Sequence, residues 1–182
     1  MRIVSGKHKS IRVNAPKNLP TRPTTDIAKE ALFNILNNKY YLEDLSVLDL
    51  FAGIGSISIE FASRGAQNII SVDQHFGCIQ FINSISEKLD LNITTVKSDV
   101  YKFLEKNTLT ADIIFADPPY DFSDEQFLTI VEQVFEKRLL NNDGLLIIEH
   151  SKQTDLSSNN HFSYAKKYGG SVFSFFEATT EN

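Results

Sequence analysis

Two stretches of this 182-residue chain carry residue types from which a ligand site could be built. The first is Val47-Leu-Asp-Leu-Phe-Ala-Gly-Ile-Gly-Ser56, an apolar run that carries Asp49 and breaks into the closely spaced Gly53 and Gly55. Glycine has no Cβ, so such a turn takes backbone angles closed to other residues and lets a ligand lie against the main chain. The second is Asp117-Pro-Pro-Tyr120, directly after the apolar run 113–116. Consecutive prolines stiffen the backbone and remove amide donors, which leaves the Asp117 carboxylate and the Pro118 carbonyl as acceptors beside the Tyr120 ring. Asp73 and Asp99 follow the apolar runs 69–72 and 93–96. Carboxylates at three successive strand ends, Asp49, Asp73 and Asp99, suit a cationic or hydroxyl-rich ligand.

The glycine turn alone leaves the ligand open. Gly53-x-Gly55-x-x-Ser58 lacks the third glycine of the dinucleotide fingerprint, yet Asp73 lies 20 residues beyond Gly53, where a ribose-binding acid belongs. His8, His150 and His161 show no metal-ligand spacing with the acids or with the single Cys78, so no metal is expected. Cys78 reads as a buried small side chain on a helix, and His75 as a loop residue beside Asp73.

The positioning elements alternate. A helix should begin at Thr24 or Thr25, hydroxyl-capped, and carry the stripe Ile27, Ala31, Leu32, Ile35, Leu36 to about Asn38. Strands are expected at 47–50, 69–72, 93–96, 112–116 and 144–148. Helices are expected between them at 55–64, stopped by Gly65, and at 76–89, 101–105 and 124–138. Residues 161–164 and 172–176 flank Gly169-Gly170 and read as an antiparallel terminal pair. The alternating residues 2–6 and 10–13 suggest two short strands around Gly6, followed by an extended connector containing Pro16, Pro20 and Pro23.

With 42% hydrophobic and 23% charged residues, the chain is long and apolar enough for one domain with an ordinary core, which argues against a disordered protein. It has no apolar run of about 18 residues, and its basic start lacks the apolar core of a signal peptide, so a cytoplasmic protein without membrane contact is expected. The net charge of -5 conceals an asymmetry. Residues 1–22 hold Arg2, Lys7, Lys9, Arg12, Lys17 and Arg22 with no acid, whereas the rest of the chain holds 12 bases against 23 acids. Such an arm can supply phosphate contacts without making the whole protein basic.

The motifs Arg2-Ile-Val-Ser-Gly-Lys7, Thr21-Arg-Pro-Thr-Thr-Asp26, Lys29-Glu-Ala-Leu-Phe-Asn-Ile-Leu36, Leu48-Asp-Leu-Phe-Ala-Gly53 and Asp117-Pro-Pro-Tyr120 together closely resemble the bacterial 16S ribosomal RNA guanine-N2 methyltransferase family over nearly the full length. The resemblance implies an α/β three-layer class I methyltransferase (Rossmann-like) fold. Its mostly parallel seven-stranded sheet would have the last strand antiparallel, with a basic β-hairpin arm over 1–22 ahead of a methyltransferase domain over 23–182. It implies S-adenosylmethionine as cofactor, held by Asp49 and the backbone from Ala52 through Gly53 to Gly55 (methionine portion), Asp73 (ribose), Asp99 and Val100 (adenine), with Phe51, Gln74 and Asp117 as further contacts. It implies Asp117, Pro118 and Tyr120 as catalytic residues. Arg2, Lys7, Lys9, Arg12 and Arg22 would contact 16S ribosomal RNA, free or in an assembling small subunit, and the protein would act as a monomer. Ile54 stands where a small residue is usual and Asp73 where Glu is common; the polar 151–160 connection is short. Two other readings stand beside this one: a nicotinamide-dependent oxidoreductase and a non-catalytic ribosome-assembly binding protein.

Overall fold

Neighbouring residues of the central strands are apolar on both faces, as a parallel sheet covered by helices on each side requires. In the computed structural model, which describes residues 1–20 and 24–178, strands β1 (Ser46–Leu50), β2 (Asn68–Asp73), β3 (Ile93–Lys97), β4 (Ala111–Ala116) and β5 (Leu140–Ser151) pair in parallel. Strands β6 (Phe162–Tyr168) and β7 (Ser171–Phe176) complete a seven-stranded sheet of order β3-β2-β1-β4-β5-β7-β6. The last strand, β7, runs antiparallel to both its neighbours.

Odd-numbered Val47, Ile113, Phe115, Ile147, Phe173 and Phe175 pack with Leu32, Phe33 and Leu36 of helix α1 (Asp26–Asn37) and Ile57 and Phe61 of α2 (Ser56–Ser63). Even-numbered Leu48, Leu50, Ile114, Leu146, Ile148 and Phe176 pack with Val100 and Leu104 of α4 (Val100–Lys106) and Phe127, Ile130 and Val134 of α5 (Asp124–Glu136). Phe81 and Ile85 of helix α3 (Phe76–Leu89) pack on a small cluster of Ile3, Val13 and Ile59, the last from α2. The result is the three-layer class I methyltransferase arrangement. Register makes the carboxyl edge functional: Leu50 pairs with both Val72 and Ala116, and Ala116 with Ile148, so the residues that follow all three outer partners emerge level with the β1 turn.

Two expectations need correction. Strand β5 begins at Leu140 rather than 144, because a register shift between Ala111 and Ile113 absorbs the polar Asn141 and Asn142 and the left-handed Asp143 (φ 60°). The amino-terminal hairpin is an isolated antiparallel bridge, Arg2 with Arg12, and not a pair of strands. Met1 and Ile3 still bond to Val13 and Ile11 across the bridge, but beyond Ile3 the ladder cannot extend toward the turn because the next amides are spent on α2. The Val4 and Ser5 amides donate to the two Glu60 carboxylate oxygens (2.8 and 2.9 Å), the Lys7 amide to the Ser63 carbonyl (2.7 Å), and the Ser63 hydroxyl to the Ser5 carbonyl (2.6 Å). Gly6, at φ 84°, sits so close that a Cβ would lie 1.8 Å from the Ser63 carbonyl oxygen.

Candidate functional site

The turn after β1 is held in a conformation few sequences tolerate. Phe51 has φ 58°, a left-handed backbone unusual for an aromatic residue, and Gly53 and Gly55 follow at 55° and 74°. Asp73, at the end of β2, locks the turn: its Oδ2 accepts from the Gly53 amide (2.8 Å) and its Oδ1 from the His75 amide (2.7 Å). Gly55 then caps α2. A Cβ there would meet Ile82 at 2.9 Å, so glycine is required for packing as well as for φ.

Asp49 is not the strand-end charge expected from the sequence. It lies within β1, only 2% exposed, and its Oδ2 accepts from both the Ser58 amide (3.1 Å) and the Ser58 hydroxyl (2.5 Å). Burial pushes its carboxyl up to about 7, against the pull of the Ser58 hydrogen bonds and with a further push from Asp73. The folded pKa is therefore raised above the unfolded one. The native state retains this proton between about pH 4 and 7 while the unfolded chain has lost it, so stability falls as pH rises through that window. Asp49→Asn should flatten this dependence and raise the Tm measured at pH 8. A melting curve whose pH dependence matched wild type would show that Asp49 does not titrate there.

These groups line one cavity of about 630 Å³. Asp49, Phe51, Ala52, Gly53, Asp73 and Gln74 form one part, and Asp117, Pro118, Pro119 and Tyr120 another, with Pro20 and Thr24 also contributing. The sequence-predicted cofactor and catalytic stretches are thus brought together. Gly55, Asp99 and Val100 are not among the lining residues. The Asp99 side chain accepts from the Lys102 amide (3.1 Å) and caps α4, while Val100 is buried under the sheet. Cys78, expected as core, is buried yet lines the cavity, with burial raising its thiol to about 11; the local sequence gave no sign of this. Thr24 was visible only as a possible helix cap, because its place here depends on the chain returning over the sheet.

The lining discriminates between ligands. Among the described residues it contains Asp49, Asp73 and Asp117 but no lysine or arginine, and the Gly53 amide that could face a phosphate is taken by Asp73. A pyrophosphate is poorly matched, whereas a sulfonium, an ammonium and a ribose diol fit. The model of the family described as Conserved hypothetical protein 95 matches residues 1–177. The chain belongs to that family. YlbH of Bacillus subtilis is 34% identical over 164 residues, covering 86% of this chain and 85% of that protein. Ribosomal RNA small subunit methyltransferase D of Buchnera aphidicola is 31% identical over 150 residues, covering 82% and 75%. Among solved structures, the protein yhhF of Escherichia coli matches with TM-score 0.83 and 25% identity over 97% of this chain and 96% of its own. The Thermus thermophilus 16S rRNA N2 G1207 methyltransferase, in complex with AdoMet and guanosine, matches with TM-score 0.68 and 20% identity over 87% of this chain and 45% of its own. This family member is a class I, S-adenosylmethionine-dependent methyltransferase, and the nicotinamide reading is set aside.

Among the described residues, no group of acids, histidines and cysteine could hold a metal ion, and no helix is long and apolar enough to cross a membrane. Arg22 lies outside the described residues. Arg2 pairs with Asp26 (Nε to Oδ2, 3.3 Å), and Lys7, Lys9, Arg12 and Lys17 are exposed.

Proposed function

We propose that this protein transfers a methyl group to the exocyclic N2 of a guanine in 16S ribosomal RNA, as a cytoplasmic monomer acting during small-subunit assembly. The observation that carries the reading is the meeting of the Asp73-locked turn and the Asp117-Pro-Pro-Tyr120 loop in one acidic cavity. The relatives named for small-subunit ribosomal RNA, and the fold shared with a guanosine complex, support the substrate.

When bound, S-adenosylmethionine supplies an electrophilic methyl group. The ligand's charged and hydroxyl groups would be met by Asp49, the 51–53 backbone and Asp73, with Gln74 beside the ribose and Asp99 and Val100 toward the adenine. The target nitrogen is a poor nucleophile, since its lone pair is delocalised into the base. Asp117 and the Pro118 carbonyl accept its two N–H bonds, orient it in line with the methyl, and stabilise the positive charge that grows on it. Tyr120, partly exposed at the cavity, offers a face on which the extruded base stacks. Incubating the protein with S-adenosylmethionine and ribosomal subunits from a strain lacking this gene should yield N2-methylguanine at one position. Cofactor binding without any transfer would favour the non-catalytic assembly factor instead.

The arm contributes unequally. Lys7 and His8 are anchored by their amides to Ser63, at the far end of an eight-residue helix and so about 12 Å along α2 from its cavity end. Arg12 is exposed opposite Arg2 across the bridge, and the Arg2 charge is already met by Asp26 at 3.3 Å. Replacing Lys7, Lys9 and Arg12 by alanine should lower the log-log salt slope of RNA binding by about two and leave S-adenosylhomocysteine affinity unchanged. An unaltered slope would return these residues to the role of solvated surface charges.

A further inference from the structure

Helix α1 begins with two threonines, and only one of them caps it. Thr25 is the N-cap, its hydroxyl accepting from the Ala28 amide at 3.2 Å. Thr24 is therefore not used by the helix. It is buried, lines the same cavity as Asp117 and Pro118, and its hydroxyl donates to Glu149 Oε2 at 2.8 Å. Glu149 is itself only 1% exposed, a high desolvation cost for a carboxyl group that the chemistry above does not use. Its place follows from the sheet register: Ala116 pairs with Ile148, so Asp117, just past the end of β4, lies level with Glu149, which is still within β5 and paired with Phe173 of β7.

This arrangement fixes the polarity of the Thr24 oxygen. A hydroxyl carries one proton, and here that proton is directed at Glu149, so toward any other partner the oxygen presents lone pairs only. A hydroxyl whose donor capacity is committed to a carboxylate is an acceptor. The edge of guanine that carries the target amine also carries the N1–H donor next to it. Adenine has an acceptor at N1.

We propose that Thr24, oriented by Glu149, accepts the N1–H of the target guanine and so sets the base specificity of the transfer. The inference rests on the guanine-N2 reading. Asp117 and Pro118 engage the amine itself, and Thr24 engages its neighbour; together they form a row of acceptors against a row of donors. Glu149 acts through Thr24 as a positioning residue.

The test pairs a protein change with a base change. The target guanine in a subunit or RNA substrate is replaced by 2-aminopurine, which keeps the exocyclic 2-amine and has no N1–H. Wild-type protein should lose roughly tenfold or more in kcat/KM on the replacement, the range of one well-made hydrogen bond in a closed site. Thr24→Val is near-isosteric and should show a comparable loss on guanine but little additional loss on 2-aminopurine. Thr24→Ser, which keeps the hydroxyl, should retain the guanine preference, and S-adenosylhomocysteine affinity should be unchanged in both. If Thr24→Val lowered transfer to the two bases by the same factor, Thr24 would be reduced to structural support for the α1 start. Should Thr24→Val fold poorly, the Thr24→Ala and Thr24→Ser pair carries the same comparison. If wild-type protein did not methylate the guanine substrate at all, the guanine-N2 reading would fall first.

Discussion

Asp117→Ala should slow single-turnover methyl transfer at least a hundredfold while leaving S-adenosylhomocysteine affinity within about twofold. The asymmetry follows from when the interaction forms. Asp117 leaves β4 immediately after Ala116, with its amide held by the Leu50 carbonyl at 3.3 Å, so its backbone is tied directly to the strand that carries the cofactor turn. Asp117 lines the cavity with Pro118 and Pro119, whose missing amides leave that stretch of backbone with acceptors. An acceptor facing an amine gains most as positive charge grows on the nitrogen. Its loss therefore reduces kcat more than binding. Asp117→Asn is the sharper companion, because it keeps shape and removes charge; it should fall between wild type and alanine if charge stabilisation dominates. Near-normal single-turnover rates in Asp117→Ala would reclassify the residue as a structural part of the turn.

The alternation of strands and helices was legible because each element is locally consistent. The 76–89 helix was read at its observed limits, and Thr25 and Gly65 mark ends through a side-chain oxygen and a positive φ that any reader of short-range chemistry can use. Part of the cavity was legible for the same reason, since Gly53, Asp73 and Asp117-Pro118 lie at or just past strand ends, whereas Asp49 lies inside β1 and Gly55 and Asp99 do not line the cavity. What was hidden depended on contacts between distant segments. The burial of Asp49 and its capture by Ser58 need α2 folded back on β1. Gly55 looked like a ligand contact, yet its neighbour is Ile82 of α3, so a Gly55→Val variant would report on packing before it reported on the cofactor. Thr24 and Glu149 are 125 residues apart, and nothing local pairs them. The amino-terminal strands were over-read because alternation shows which side chains can face inward but not what will satisfy the amides; here Glu60 and Ser63 of α2 satisfy several of them.

The second large effect concerns that anchoring. Glu60 is fully buried in α2 and receives the Val4 and Ser5 amides, Arg64 Nε at 2.9 Å, and the Lys29 ammonium at 3.6 Å. Lys29, from α1, is 1% exposed; burial lowers its pKa and Glu60 opposes that shift, while its Nζ also donates to the Arg2 carbonyl at 2.7 Å. One carboxylate thus joins α1, α2 and the amino-terminal arm. Glu60→Ala leaves a buried cation and two arm amides without their acceptor, which should cost about 3–5 kcal/mol. For a domain of this size that corresponds to a Tm lower by roughly 10 °C. The arm should loosen with it, seen as faster hydrogen exchange at Val4 and Ser5 than global unfolding explains. Replacing Lys29→Met with Glu60→Leu removes two of the three buried charges and should recover part of the Tm, because desolvation is the larger part of the cost, while Arg64 keeps its place over the Phe33 ring (4.4 Å) without the carboxylate. It should not restore slow exchange at Val4 and Ser5, whose acceptor is still missing. A Glu60→Ala variant melting within about 2 °C of wild type would mean that water or another group replaces the carboxylate. The arm would then be held by Ser63, the Lys29 hydrogen bond to the Arg2 carbonyl, the Arg2–Asp26 pair and the buried Ile3 and Val13.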